Sequence, residues 1–204
     1  MSVVYNGVQT RIKRIQPNIE DMHCASHNMN LVDNDCVSGC LEVSSYFTTL
    51  QDIYAFFGCS INRWGILSSF IGESEITVRK LNPTRWFGRL QSMAAVKVQC
   101  VDIFRALTEI SLKSKRNDER DEAIQIKKNM ATFDFVFVSV FLYNVMCEIN
   151  YASKTLEKND IDLAEVLYVL NRVSETIQNF RKSYEQFKLE AEEQAKKWGI
   201  DAMY

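Results

Sequence analysis

Residues Phe135 to Leu156 read FVFVSVFLYNVMCEINYASKTL, and beyond Lys158-Asn159-Asp160 residues Leu163 to Trp198 read LAEVLYVLNRVSETIQNFRKSYEQFKLEAEEQAKKW. In the first segment Phe135, Val138, Leu142, Val145, Ile149, Ala152 and Leu156 recur in alternating steps of three and four. In the second, Leu163, Val166, Leu170, Val173, Ile177, Phe180, Tyr184, Phe187 and Ala191 do the same. That spacing returns apolar side chains to one face of an α-helix. Two such seams joined by a short polar connection predict a long antiparallel helical hairpin. Asp160 or Asp162 can accept the free N–H groups at the start of the second helix, and Glu165 stands three residues after Asp162 as in a capping box. Continued to Trp198, that helix is roughly 50 Å long at 1.5 Å per residue. Part of it is therefore expected to pack on earlier helices or to pair with another chain.

Working back from the hairpin, Trp86, Leu90, Met93, Cys100, Phe104 and Leu107 keep the same rhythm after Pro83, with Lys97 the polar residue on the stripe. A long helix opening at Trp86 is predicted. The mixed-charge stretch Lys113 to Arg120 reads as a solvated loop before a helix over Asp121 to Met130. Leu41 to Phe57 presents Val43, Phe47, Leu50, Tyr54 and Phe57 on one helical face, with Gly58 as its stop. Ser60 is placed to cap a shorter helix carrying Ile61, Trp64, Leu67 and Ile71. Gly7 to Ile15 reads as a short helix ended by Pro17. Strand character is confined to Asp21–Ala25 and Ile76–Val78, and His27 to Val37 returns to a helical pattern.

The composition fits this helical reading. The chain has 204 residues, 47% hydrophobic and 25% charged, with only seven Gly and two Pro, a globular balance rather than a disordered or fibrous one. A net charge of −2 supplies no overall basic field, so nucleic-acid contact would need a local patch. The longest apolar run, Phe135 to Cys147, is too short to span a bilayer and is closed by Asp134 and Glu148. With no secretory leader pattern, a soluble protein in a reducing compartment is expected. There Cys24, Cys36, Cys40, Cys59, Cys100 and Cys147 stay free thiols, most of them as small buried residues.

Three ordered motifs carry a family resemblance: Tyr5-Asn6-Gly7-Val8-Gln9, then His23-Cys24-Ala25-Ser26-His27-Asn28-Met29-Asn30-Leu31-Val32, then Leu81-Asn82-Pro83-Thr84-Arg85-Trp86-Phe87-Gly88-Arg89. The chain resembles hAT superfamily transposases and the cellular proteins derived from them, the zinc finger MYM-type protein 1-like group in particular. Cys24, His27, Asn30, Leu31, Thr84, Arg85 and Trp86 are the residues matching the family signatures. The resemblance implies an RNase H-like core interrupted by an all-helical insertion. It also implies a nuclear location, though the sequence carries no clear signal to choose nucleus over cytoplasm. The three carboxylates that hold paired divalent ions in such enzymes are expected upstream of Met1 and beyond Tyr204, so no catalysis is expected. By the same resemblance Cys24, His27, Arg85 and Trp86 lie near a transposon end. Arg79, Lys80 and Arg89 would then complete a basic patch, with the Trp86 indole able to stack on a base. The preferred alternative makes Trp86 the first core residue of its helix.

Spacing alone also offers a metal-ligand set. Cys24-x2-His27 followed by Cys36-x3-Cys40 has the ligand types of a tetrahedral zinc site, with His23 as a spare imidazole. Ordinary burial and hydrogen bonding of these residues is the favoured reading, and no cofactor is expected. Asp33 and Asp35, two residues apart on a predicted helix, point about 200° apart and, with Asp21 and Glu42, read as solvated acids. The expected fold is mainly α: residues 1–58 a remnant of an RNase H-like core with one or two short strands, residues 59–204 a helical insertion domain. The expected function is a non-catalytic association module, binding a protein partner or itself, without a membrane or a small-molecule substrate. Its seam is Leu163, Val166, Leu170, Val173, Ile177, Phe180, Tyr184 and Phe187. Residual nucleic-acid binding through Arg85 and Trp86 is the first alternative, and a truncated product with no independent function the second.

Overall fold

The computed structural model describes residues 7–18, 39–72, 80–81, 86–158 and 160–201. Among them the chain is mainly helical, as expected. In order the helices are α1 (Val8–Ile15), α2 (Leu41–Gly58), α3 (Ile61–Ile71), α4 (Trp86–Lys113), α5 (Asn117–Met130), α6 (Phe133–Leu156), α7 (Leu163–Lys182) and α8 (Tyr184–Trp198). No strand occurs among the described residues. Both expected strands, 21–25 and 76–78, and the helix expected over 27–37 lie outside them.

Local chemistry accounts for most boundaries. Ser60 accepts the Arg63 N–H at 3.4 Å to open α3, Thr132 accepts the Phe135 N–H at 3.2 Å to open α6, and Asp162 accepts the Glu165 N–H at 2.7 Å to open α7. Each satisfies a donor that has no partner within its helix. The boundary before α5 differs from expectation. The mixed-charge stretch is mostly helix: α5 starts at Asn117, and only 114–116 separate it from α4. Asp118 and Glu119 fall in its first turn, where negative charge complements the helix dipole.

The core gathers around α4 and α6. Met93, Val96, Cys100, Ile103 and Leu107 of α4 are fully buried, and one continuous cluster joins them to Leu50, Ile53, Phe56 and Phe57 of α2 and to Met130 of α5. Val136, Val140 and Met146 of α6 and Ala191 and Ala195 of α8 enter the same cluster. Each large apolar side chain buried there contributes about 1.5–3 kcal/mol. Lys97 sits on the stripe because its aliphatic stem packs while its charge is matched. The ammonium lies 4.6 Å above the Tyr143 ring and 3.8 Å from the Glu190 carboxylate, joining α4 to α6 and α8.

The single helix expected from Leu163 to Trp198 is interrupted at Ser183, whose hydroxyl donates back to the Asn179 carbonyl at 3.1 Å. Back-bonding of this kind bends helices. The interruption separates two different packings. α7 rests on α6 through a small cluster of Ala152, Val169 and Val173, whereas α8 sends Phe187, Ala191, Ala195 and Trp198 into the main core. Further contacts join α6 to these two helices: Glu148 with Arg172 at 3.8 Å, Phe141 with Phe187 at 5.3 Å between ring centres, and Phe137 with Tyr184 at 5.6 Å. By length and composition α6 is the described helix long and apolar enough to cross a membrane, since it runs past Glu148. In this fold it packs against α2, α4, α7 and α8.

Candidate association surface

Helix α7 carries the only cluster of exposed leucines that falls on a single helical face among the described residues. Leu163, Leu167 and Leu170 are 72%, 54% and 37% exposed, and at about 100° per residue they fall within roughly 60° of one another. Val169 and Val173, 2% and 6% exposed, hold the helix on α6 from a different direction. Leu167 and Val173 point about 120° apart. The apolar stripe of α7 is therefore wider than the face α6 covers.

Polar contacts fix how α7 sits. The Arg172 guanidinium lies 4.5 Å above the Tyr151 ring and 3.8 Å from the Glu148 carboxylate, an ion-pair separation rather than a hydrogen bond. At the entry to α7, the Lys158 ammonium lies 3.5 Å from the Glu165 carboxylate. Both arrangements sit away from the leucine row and leave it uncharged.

The expected seam divides between two environments. Val173 and Phe187 are buried, Val166, Ile177 and Phe180 are half-buried, and Leu163, Leu170 and Tyr184 are exposed. Val169, the most buried residue of α7, belongs to neither step of the alternation. A strict three-and-four pattern follows a 3.5-residue period, and a straight helix drifts about 20° per heptad away from it. Within α7 the drift leaves Leu163 and Leu170 at the edge of the covered face and carries Val173 inward.

Of the proposed nucleic-acid contacts, Lys80 is exposed, while Arg89 is 9% exposed with its guanidinium 5.0 Å above the Phe47 ring. Arg89 lines a cleft of about 380 Å³ together with Asp52, whose carboxyl is held above its ordinary range by partial burial. Arg89 thus ties α4 to α2 from within. Arg79, Thr84 and Arg85 lie outside the described residues, as do Cys24, His27, Asn30, Leu31 and Cys36; Trp86 begins α4. Cys40 of the suggested zinc set donates its thiol to the Glu42 carboxylate at 3.1 Å. No group of three His, Cys, Asp or Glu side chains among the described residues is arranged to hold a metal ion. The four described cysteines are free thiols, but only Cys100 is buried; Cys59 is exposed at the end of α2.

No protein-family model and no solved structure matches this chain.

Proposed function

We propose that this chain is a non-catalytic association module of hAT-transposase descent that pairs with a second copy of itself through α7. The observation that carries the association is the row Leu163, Leu167 and Leu170, exposed on a helix whose core contact lies elsewhere. An uncharged row of leucines is self-complementary, so a two-fold pairing buries the same patch on both copies. The contacts of α6 support reading α6, α7 and α8 as a long antiparallel hairpin: Ala152 and Glu148 toward its C-terminal end meet Val169 and Arg172 of α7, whereas Phe141 and Phe137 toward its N-terminal end meet Phe187 and Tyr184 of α8. Descent from the transposase group rests on the order of the three sequence motifs.

Sedimentation or light scattering of the full chain is expected to give a dimer. The combined Leu163→Glu, Leu167→Glu and Leu170→Glu variant is expected to be monomeric and to keep the helical content of the parent by circular dichroism, because exposed positions contribute little to the fold of a single chain. A parent chain that is monomeric at its highest soluble concentration, or a triple variant that remains dimeric, defeats the reading.

A further inference from the structure

On a face formed by α3, α4, α5 and the end of α8, away from α7, lies a cleft of about 760 Å³, within the roughly 300–1,000 Å³ typical of ligand sites. Its apolar wall is built from Phe70, Val101, Phe104, Trp198 and Ile200. The last two are held there by the turn that ends α8. The Ile200 N–H donates to the Ala195 carbonyl at 2.9 Å and the Gly199 N–H to that of Lys196 at 3.3 Å, the paired bonds of a Schellman motif.

Charge is distributed unevenly around this wall. Arg105, Lys113 and Lys127 line the cleft with Glu109. Arg105 is matched by Asp102 at 3.2 Å and Lys113 by Glu109 at 2.9 Å. Lys127 has no carboxylate in ion-pair range among the described residues. Its ammonium donates to the Thr108 hydroxyl at 2.8 Å, and that hydroxyl in turn donates to the Phe104 carbonyl at 2.7 Å. An ammonium has three N–H donors, so two remain for a ligand beside an apolar wall.

We propose that this cleft binds an amphipathic monocarboxylate of the medium-chain fatty-acid class. The carboxylate accepts from the two remaining Lys127 N–H donors and neutralises a half-buried charge. The hydrocarbon lies along Phe104, Val101 and Trp198, where it removes apolar wall from water. Residues of the association row take no part, so the two readings stand or fall separately.

The test is calorimetric titration of the full chain with decanoate below its micellar concentration, with decanol and decyltrimethylammonium as neutral and cationic counterparts of similar length. Decanoate is expected to saturate one site and to bind more tightly than either counterpart. Lys127→Met, which keeps the apolar stem, is expected to weaken decanoate by roughly tenfold or more, and Lys127→Arg to retain it. Absence of saturable decanoate binding overturns the proposal, as does equal binding of decyltrimethylammonium or unchanged affinity in Lys127→Met. The ranking of the three amphiphiles is read on the unaltered chain, so the proposal remains falsifiable even where a variant loses its fold.

Discussion

At the scale of single residues, burial keeps two ionisable groups of the described core, Cys100 and Tyr46, neutral. Burial pushes the Cys100 thiol well above its usual range. The Tyr46 phenol is raised likewise by burial, partly offset by its bond to the Ser139 hydroxyl, to which it donates at 3.3 Å. Both groups have a folded pKa above the unfolded value, so their contribution is complete below the unfolded pKa and is lost as pH rises beyond it. Stability is therefore expected to begin falling above about pH 8.5, where an unfolded cysteine ionises, and to fall more steeply above about pH 10, where an unfolded tyrosine does. Each group contributes a slope of about 1.4 kcal/mol per pH unit. Urea melts across this range check it, and Cys100→Ala should flatten the portion between about pH 8.5 and 10. Arg63 and Arg89 teach a related lesson. Both guanidinium groups lie over phenylalanine rings of α2, Arg63 at 4.4 Å from Phe56 and Arg89 at 5.0 Å from Phe47, and hold neighbouring helices to that face.

At the scale of elements, capping residues and helix ends determine what the long apolar seams can reach. The break at Ser183 lets α7 and α8 satisfy different surfaces, and the turn after Trp198 places Ile200 against the cleft. Gly199 has φ +70°, in the left-handed region that favours glycine. A methyl group added there would meet no heavy atom within 4 Å, so any penalty is conformational. Gly199→Ala is expected to cost about 1–2 kcal/mol of stability, measured by chemical denaturation, and Gly199→Asn less. An alanine variant as stable as the parent would show that the turn is not held in this conformation in solution.

At the scale of the whole molecule, the proposed association rests on apolar contact and the alternative nucleic-acid reading on phosphate charge, and ionic strength separates the two. Dimerisation through Leu163, Leu167 and Leu170 is expected to be nearly unchanged between low and high salt in sedimentation experiments. Phosphate binding would instead weaken steeply with salt, so dimers that dissociate on adding salt would contradict the leucine-row interface. Much of this architecture is legible in the amino-acid order. The stripe from Leu90 to Leu107, the face from Phe47 to Phe57, the seams around Leu142 and Val173, and the caps at Ser60 and Asp162 all follow from helical period and local hydrogen bonding, which act within a few residues. The cleft and its Lys127 were not legible, because Phe70, Phe104, Lys127 and Ile200 meet only after four elements have packed together. Nor was the division of α7 into a held face and a free one, since Val169 and Leu167 are equally apolar and only the position of α6 decides which is covered. The sequence by itself therefore determined the helices and most of their boundaries, because those depend on contacts between near neighbours. Only the tertiary structure decided which apolar faces were consumed in the core and which stayed exposed, because burial depends on partners that are distant along the chain.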